Sequence, residues 1–137
     1  MNIFKAKTKK SELGAIGEKA ACKYLKTRGY KILKRNFIAQ DGEIDIIAES
    51  RSAIVFVEVK TRTKETQSEK ESRPSAAVTP DKQKRILRTS KFYPKPNGKP
   101  MRFDIVEVIY AKENLKKPEQ ITHMVSAFNR DTAYGKR

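Results

Sequence analysis

The sequence has no tryptophan, one cysteine and one histidine among its 137 residues. A lone Cys22 excludes an internal disulfide, and a reducing compartment is expected. A lone His123 has no companion for a zinc site or a nucleophilic triad, so it reads as structural. No apolar run approaches the roughly 20 residues needed to span a bilayer. Residues 1–10 lack the apolar stretch of a signal peptide, so a cytoplasmic protein with no membrane partner is expected. There is no internal repeat and no glycine-rich loop to cradle a phosphate. Negative charge is also scarce. Sixteen Asp and Glu stand against 31 Lys and Arg, for a formal charge of +15 and a pI near 10. That balance favours a polyanionic partner, nucleic acid ahead of an anionic membrane surface. Hydrophobic residues make up 37%, enough for one domain with a modest core.

What is present is an α/β pattern. Residues 1–10 carry four lysines and no acid and read as a flexible basic arm. Residues 11–29 read as a helix, with Ser11 to cap it, Glu12 at its positive end and Gly29 to stop it. Leu13, Ile16, Gly17, Ala20, Ala21, Tyr24 and Leu25 share one broad face. Gly14 and Gly17 lie on or beside that face, which suits a close approach to a sheet. Cys22 sits off its centre and reads as packing or a partly exposed thiol. Residues 30–39 read as a strand. Residues 101–111 and 121–128 read as two more, the former parallel to the strand at 54–62 because a helix intervenes.

The stretch at 41–62 carries the chemistry. Asp41-Gly42 punctuates its start, and Ser50, Arg51 and Ser52 make a turn between two runs rich in Ile and Val. In the second run Val55, Val57 and Val59 share one face, and Ile54, Phe56, Glu58 and Lys60 the other. Both faces are apolar, as expected of a strand covered on both sides. In the first run Glu43, Asp45 and Ile47 share a face, opposite Ile44 and Ile46. A four-residue loop at 50–53 pairs Glu49 with Ile54, sets Asp45 opposite Glu58 and sets Glu43 opposite Lys60. Two carboxylates that close repel unless a proton or cation lies between them, and a divalent ion taking oxygen ligands is the simplest cation. Two readings are open here: a metal site, or rim charges paired at the end of a sheet. Glu18 has the same two readings, at the edge of the first helix's apolar face.

Residues 63–80 break the pattern and form a loop longer than most in compact domains. A second, mostly basic helix starts at Pro80 or Asp81. Residues 79–102 hold eight Lys or Arg and one acid. Lys82, Lys84, Arg85 and Arg88, with Arg62 at the end of the hairpin, are the candidate phosphate contacts. Phe92 and Tyr93 among them read as core residues, Asp104 as an edge charge paired with Arg102, and residues 129–137 as a frayed polar tail.

Taken together, Gly14-x-x-Gly17-Glu18, Arg35-Asn36, Gly42-Glu43-Ile44-Asp45, Phe56-Val57-Glu58-Val59-Lys60, Arg102-Phe103-Asp104 and Ala127-Phe128 resemble the bacterial YraN-type family. That family is related to the restriction-endonuclease-like superfamily, and in pattern it is similar to the archaeal Holliday-junction resolvases. The resemblance covers residues 11–128 as one nuclease-like domain with a mobile loop at about 63–78. It implies a restriction-endonuclease-like core: a mixed sheet with an antiparallel three-strand meander, a crossover helix and a further strand. It further implies that Asp45 and Glu58 bind Mg²⁺ or Mn²⁺. Lys60 would orient or deprotonate the attacking water, Glu18 would complete the acidic site, and Glu43 would be auxiliary. Ile44 stands where the superfamily's motif has proline. The expected activity is metal-dependent cleavage of DNA rather than RNA, including branched or repair intermediates, for which a homodimer with two sites would suit. The alternative is a nucleic-acid-binding adaptor without catalysis. An RNA- or ribosome-associated factor rests on size and charge alone.

Overall fold

The computed structural model describes residues 11–40, 42–64, 78–94 and 98–135. The basic arm at 1–10, Asp41, most of the 63–78 loop and the last two residues lie outside them. The first helix, α1 (Glu12–Thr27), starts where Ser11 Oγ accepts the Gly14 N–H at 2.9 Å, which satisfies one orphan donor of the first turn. The chain leaves the helix through Gly29, whose φ of 90° favours glycine.

Five strands follow in spatial order of sequence: β1 (Lys31–Ala39), β2 (Gly42–Glu49), β3 (Ile54–Thr63), β4 (Met101–Tyr110) and β5 (Gln120–Phe128). The first three form an antiparallel meander. Helix α2 (Pro80–Ser90) intervenes before β4, which pairs parallel to β3, and β5 returns antiparallel to β4. The mixed sheet expected from the sequence is therefore present. Thr79 caps α2 by accepting the Lys82 N–H at 3.2 Å, and Pro80 occupies the first turn, where its missing N–H costs nothing.

The sheet is covered on both faces. Under α1 lie Ile46, Ala48, Val55, Val57, Val106, Val108 and Tyr110. Under α2 lie Ile44, Ile47, Ile54, Phe56, Phe103 and Ile105, with Val78 and Ile86. The alternation of β3 thus reads out directly as two cores. Gly17 explains how closely α1 approaches: a Cβ there would collide with the Thr61 side chain on β3.

Three expectations need correction. The polar tail folds: Asn129 opens a capping box with Thr132, α3 (Arg130–Tyr134) follows, and Ala133 is buried. Thr132 Oγ1 donates to Gln83 Oε1 at 2.6 Å, which ties α3 to α2. Asp104 does pair with Arg102, at 2.8 Å, but it is fully buried because β4 lies inside the sheet rather than at its edge. It also meets His123 Nε2 at 2.8 Å and accepts the Ser126 N–H at 2.9 Å, so the single histidine belongs to a buried polar network. Of the two neighbouring aromatics, Tyr93 packs edge-on to Phe37, with ring centroids 5.4 Å apart, while Phe92 is 53% exposed. Consecutive residues of a turn point in different directions, and only one ring reaches the core. Cys22 is buried among the α1 contacts, and burial raises its thiol pKa.

Candidate metal and phosphate site

The hairpin register is the expected one near its turn: Glu49 pairs with Ile54, Ala48 with Val55, Ile47 with Phe56 and Ile46 with Val57. The ladder stops there. Asp45 Oδ2 accepts the Val59 N–H at 2.8 Å, so a side chain takes the place of a strand carbonyl. The direct oppositions of Asp45 to Glu58 and of Glu43 to Lys60 are therefore not continued as ladder pairs. The face assignment also changes: Ile44 and Ile47 lie in the α2-side core while Ile46 lies in the α1-side core. The alternation slips between Ile44 and Ile46. On the neighbouring strand this is where Asn36 adopts φ 53°, between the pairs Arg35–Ile46 and Phe37–Ile44. A positive φ at Asn is a known accommodation of a local irregularity in backbone direction.

The opened end of the hairpin makes a cleft of about 190 Å³. Glu18 from α1, Asp45 from β2 and Lys60 from β3 line it, with Ser11 and Gly14 of the helix start. Glu18, 2% exposed, receives the Arg35 guanidinium on Oε1 at 3.2 Å. Glu58 is 6% exposed and meets Lys82 Nζ from α2 at 3.1 Å. Its carboxyl is pushed up to about 7, chiefly by burial and then by the charge of Asp45, against the pull of Lys82 and Lys60. The charge of Asp45 thus opposes ionisation of Glu58, across the opened end of the hairpin rather than a ladder pair. A larger cavity of about 710 Å³ runs along α1 past Ile16, Tyr24, Tyr110 and Leu115. It is mostly apolar and holds none of these carboxylates, so the smaller cleft is the candidate site.

A divalent ion fits the donor set in part. Among the described residues no three acidic, His or Cys groups come close enough to cage an ion. Two repelling carboxylates beside a lysine nevertheless suit Mg²⁺, which keeps several waters and is commonly bound through one or two carboxylates plus a substrate phosphate. Asp45 and Glu58 would hold it, with Glu18 facing the same cleft.

The candidate phosphate contacts separate. Arg62 is taken up by Glu107, Nε to Oε2 at 2.7 Å, inside the sheet. Lys84 Nζ lies 5.2 Å over the Tyr134 ring of α3. Lys82 faces Glu58, and Arg85 and Arg88 remain exposed along α2. Two residues carry more than the sequence reading gave them. Arg35 was visible only as part of a motif, yet it neutralises Glu18. Glu107 is 1% exposed and is the parallel-strand partner of Lys60; its place inside an apolar strand was the available signal.

Residues 17–108 match the profile of Uncharacterised protein family UPF0102. The UPF0102 protein of Caldanaerobacter subterraneus is 44% identical over 125 residues, which cover 89% of this chain and 98% of the relative. This chain belongs to the UPF0102 family. Among further UPF0102 relatives, one from Caldicellulosiruptor saccharolyticus is 44% identical over 108 residues, covering 77% of this chain and 88% of its own. One from Clostridioides difficile is 38% identical over 120 residues, covering 85% and 96%. The UPF0102 profile spans every element that contributes to the cleft except the first turns of α1.

Proposed function

We propose that this UPF0102 chain is a metal-dependent endonuclease of restriction-endonuclease-like fold, acting on DNA. The observation that carries this is the meeting of Glu18, Asp45 and Lys60 in one cleft, with the Glu58 carboxyl pushed up to about 7 by burial and then by the charge of Asp45. A divalent cation bound there would supply Lewis-acid polarisation of a phosphate and neutralise its charge. The chain does the rest. The Val59 N–H fixes Asp45, and Arg35 fixes Glu18. Lys60 lines the same space, where its ammonium would orient a water and offset phosphate charge. Arg85 and Arg88 extend positive charge along α2 for the backbone of the substrate. The YraN-type resemblance supports the same reading and adds branched DNA as a substrate to try. The test is Asp45→Ala, expected to abolish Mg²⁺-dependent cleavage while the circular dichroism spectrum is retained. Undiminished cleavage by that variant would overturn the assignment.

A second reading has its own observation. Lys82 sits on Glu58 at 3.1 Å, so an ammonium already occupies the carboxylate that a metal would use. A nucleic-acid-binding adaptor that needs no metal is consistent with that pair. Binding that persists in EDTA and in Asp45→Ala, with no cleavage of any substrate, would favour it.

A further inference from the structure

The far end of α2 carries a second arrangement, separate from the carboxylates. Phe92, just past the helix, is 53% exposed. It shares a cleft of about 570 Å³ with Gln40, Arg88 and Lys91. Gln40 reaches this place because the start of β2 lies against α2. At Gly42 a Cβ would strike the Thr89 hydroxyl, and the Arg85 carbonyl is 3.4 Å away. Gln40 itself adopts φ 56°, a conformation uncommon outside glycine.

One exposed phenylalanine is ordinary. Its company here is not. A ring face accepts a stacked base of any identity. The Gln40 amide offers both a donor and an acceptor for a base edge. Arg88 and Lys91 supply the cations that flanking phosphates require. The apolar element is a single ring bordered by two cations, which suits a flat polar ligand with anionic neighbours better than a peptide side chain.

We propose that Phe92, Gln40, Arg88 and Lys91 form a pocket for an unpaired nucleobase, so that the preferred ligand is DNA with an extruded or single-stranded base. The proposal rests on the nucleic-acid reading above and names its substrate class. Helix α2 links the two sites, with Lys82 against Glu58 at one end and Phe92 beyond the other.

The test uses the full chain in EDTA, so that binding is read without cleavage. Two duplexes of equal length are compared, one fully paired and one with a single extruded 2-aminopurine. Wild-type protein should bind the second about tenfold more tightly, within what one base–aromatic stack contributes, and should change the 2-aminopurine fluorescence. Phe92→Ala should lose both effects and keep its affinity for the paired duplex; Phe92→Trp should restore them. Unaltered preference in Phe92→Ala overturns the pocket and leaves the nucleic-acid reading standing. A Phe92→Ala protein that loses self-association instead, seen by sedimentation, overturns the pocket in favour of a contact between copies. If neither duplex binds, the nucleic-acid reading itself fails and the pocket with it.

Discussion

Glu58 should make the metal-free protein less stable as pH rises, and Glu58→Gln should remove that dependence. Its carboxyl titrates near 7 in the fold against an ordinary 4.5, because burial and Asp45 both oppose its ionisation. Below pH 4.5 the group is protonated folded and unfolded, and contributes no difference. Between the two values the unfolded chain releases the proton while the folded chain keeps it, so stability falls as pH rises. Above about 7 the loss is complete. A shift from 4.5 to about 7, at ~1.4 kcal/mol per unit, amounts to about 3 kcal/mol. The Lys82 pair lowers this value and is already contained in it. Glutamine keeps the shape and carries no charge. The assay is urea unfolding in EDTA at pH 4.5, 6, 7 and 8 for both proteins. The stability of Glu58→Gln relative to wild type should grow by about 3 kcal/mol across the series. Added Mg²⁺ at pH 8 should stabilise wild type and not the variant. Parallel curves for the two proteins would refute the burial of a carboxylate beside Asp45.

Two other predictions concern the frame that holds the cleft. Gly17→Ala places a methyl group against Thr61 and should cost about 1–3 kcal/mol through overpacking. Adding Thr61→Ala should recover part of it, since it removes the Thr61 hydroxyl and methyl but leaves its Cβ close to the new one, and additive losses in denaturant unfolding would deny the contact. Asp104→Ala removes the buried acceptor shared by Arg102, His123 and the Ser126 N–H. It should cost about 3–5 kcal/mol, as when one partner of a buried pair is lost; a change under ~1 kcal/mol in the same assay would show the network to be dispensable.

Much of the fold was legible because its signals are local. Ser11 and Gly29 bound α1, and alternation in β3 separates Val55 and Val57 from Ile54 and Phe56 onto two cores. The turn at 50–53 fixed the hairpin register, since a slip of one residue would have reversed those faces. What was not legible depends on contacts far apart in sequence. The Asp45 bond to Val59 opens the hairpin, and the slip between Ile44 and Ile46 has its counterpart at Asn36 on a different strand. Nothing in the local pattern of β2 announces either. Asp104 was read as an edge charge from its neighbour Arg102, whereas β4 lies between β3 and β5. The polar run after Phe128 concealed a capping box in Asn129 and Thr132.

The site divides along the same line. Asp45, Glu58 and Lys60 were readable from one strand end and its partner, and Glu18 from its position on α1. The candidate phosphate contacts were read from charge density, which does not tell a solvated arginine from one consumed in an ion pair. Hence Arg62 and Lys84 meet Glu107 and Tyr134, while Arg85 is exposed on the surface of α2. Phe92 misled for a related reason: composition says that an aromatic tends inward, and the turn after α2 decides which of two adjacent rings does so.

Cleavage of a labelled panel tests the metal-site reading most directly: single strand, duplex, flap, four-way junction and RNA, each with Mg²⁺, with Mn²⁺ and with EDTA. The expected result is metal-dependent cutting of at least one DNA species, absent in EDTA and absent in Asp45→Ala. Binding of every DNA species by both proteins, with no cleavage under any metal, would contradict it and leave the Lys82–Glu58 pair as the resting state of a non-catalytic binder.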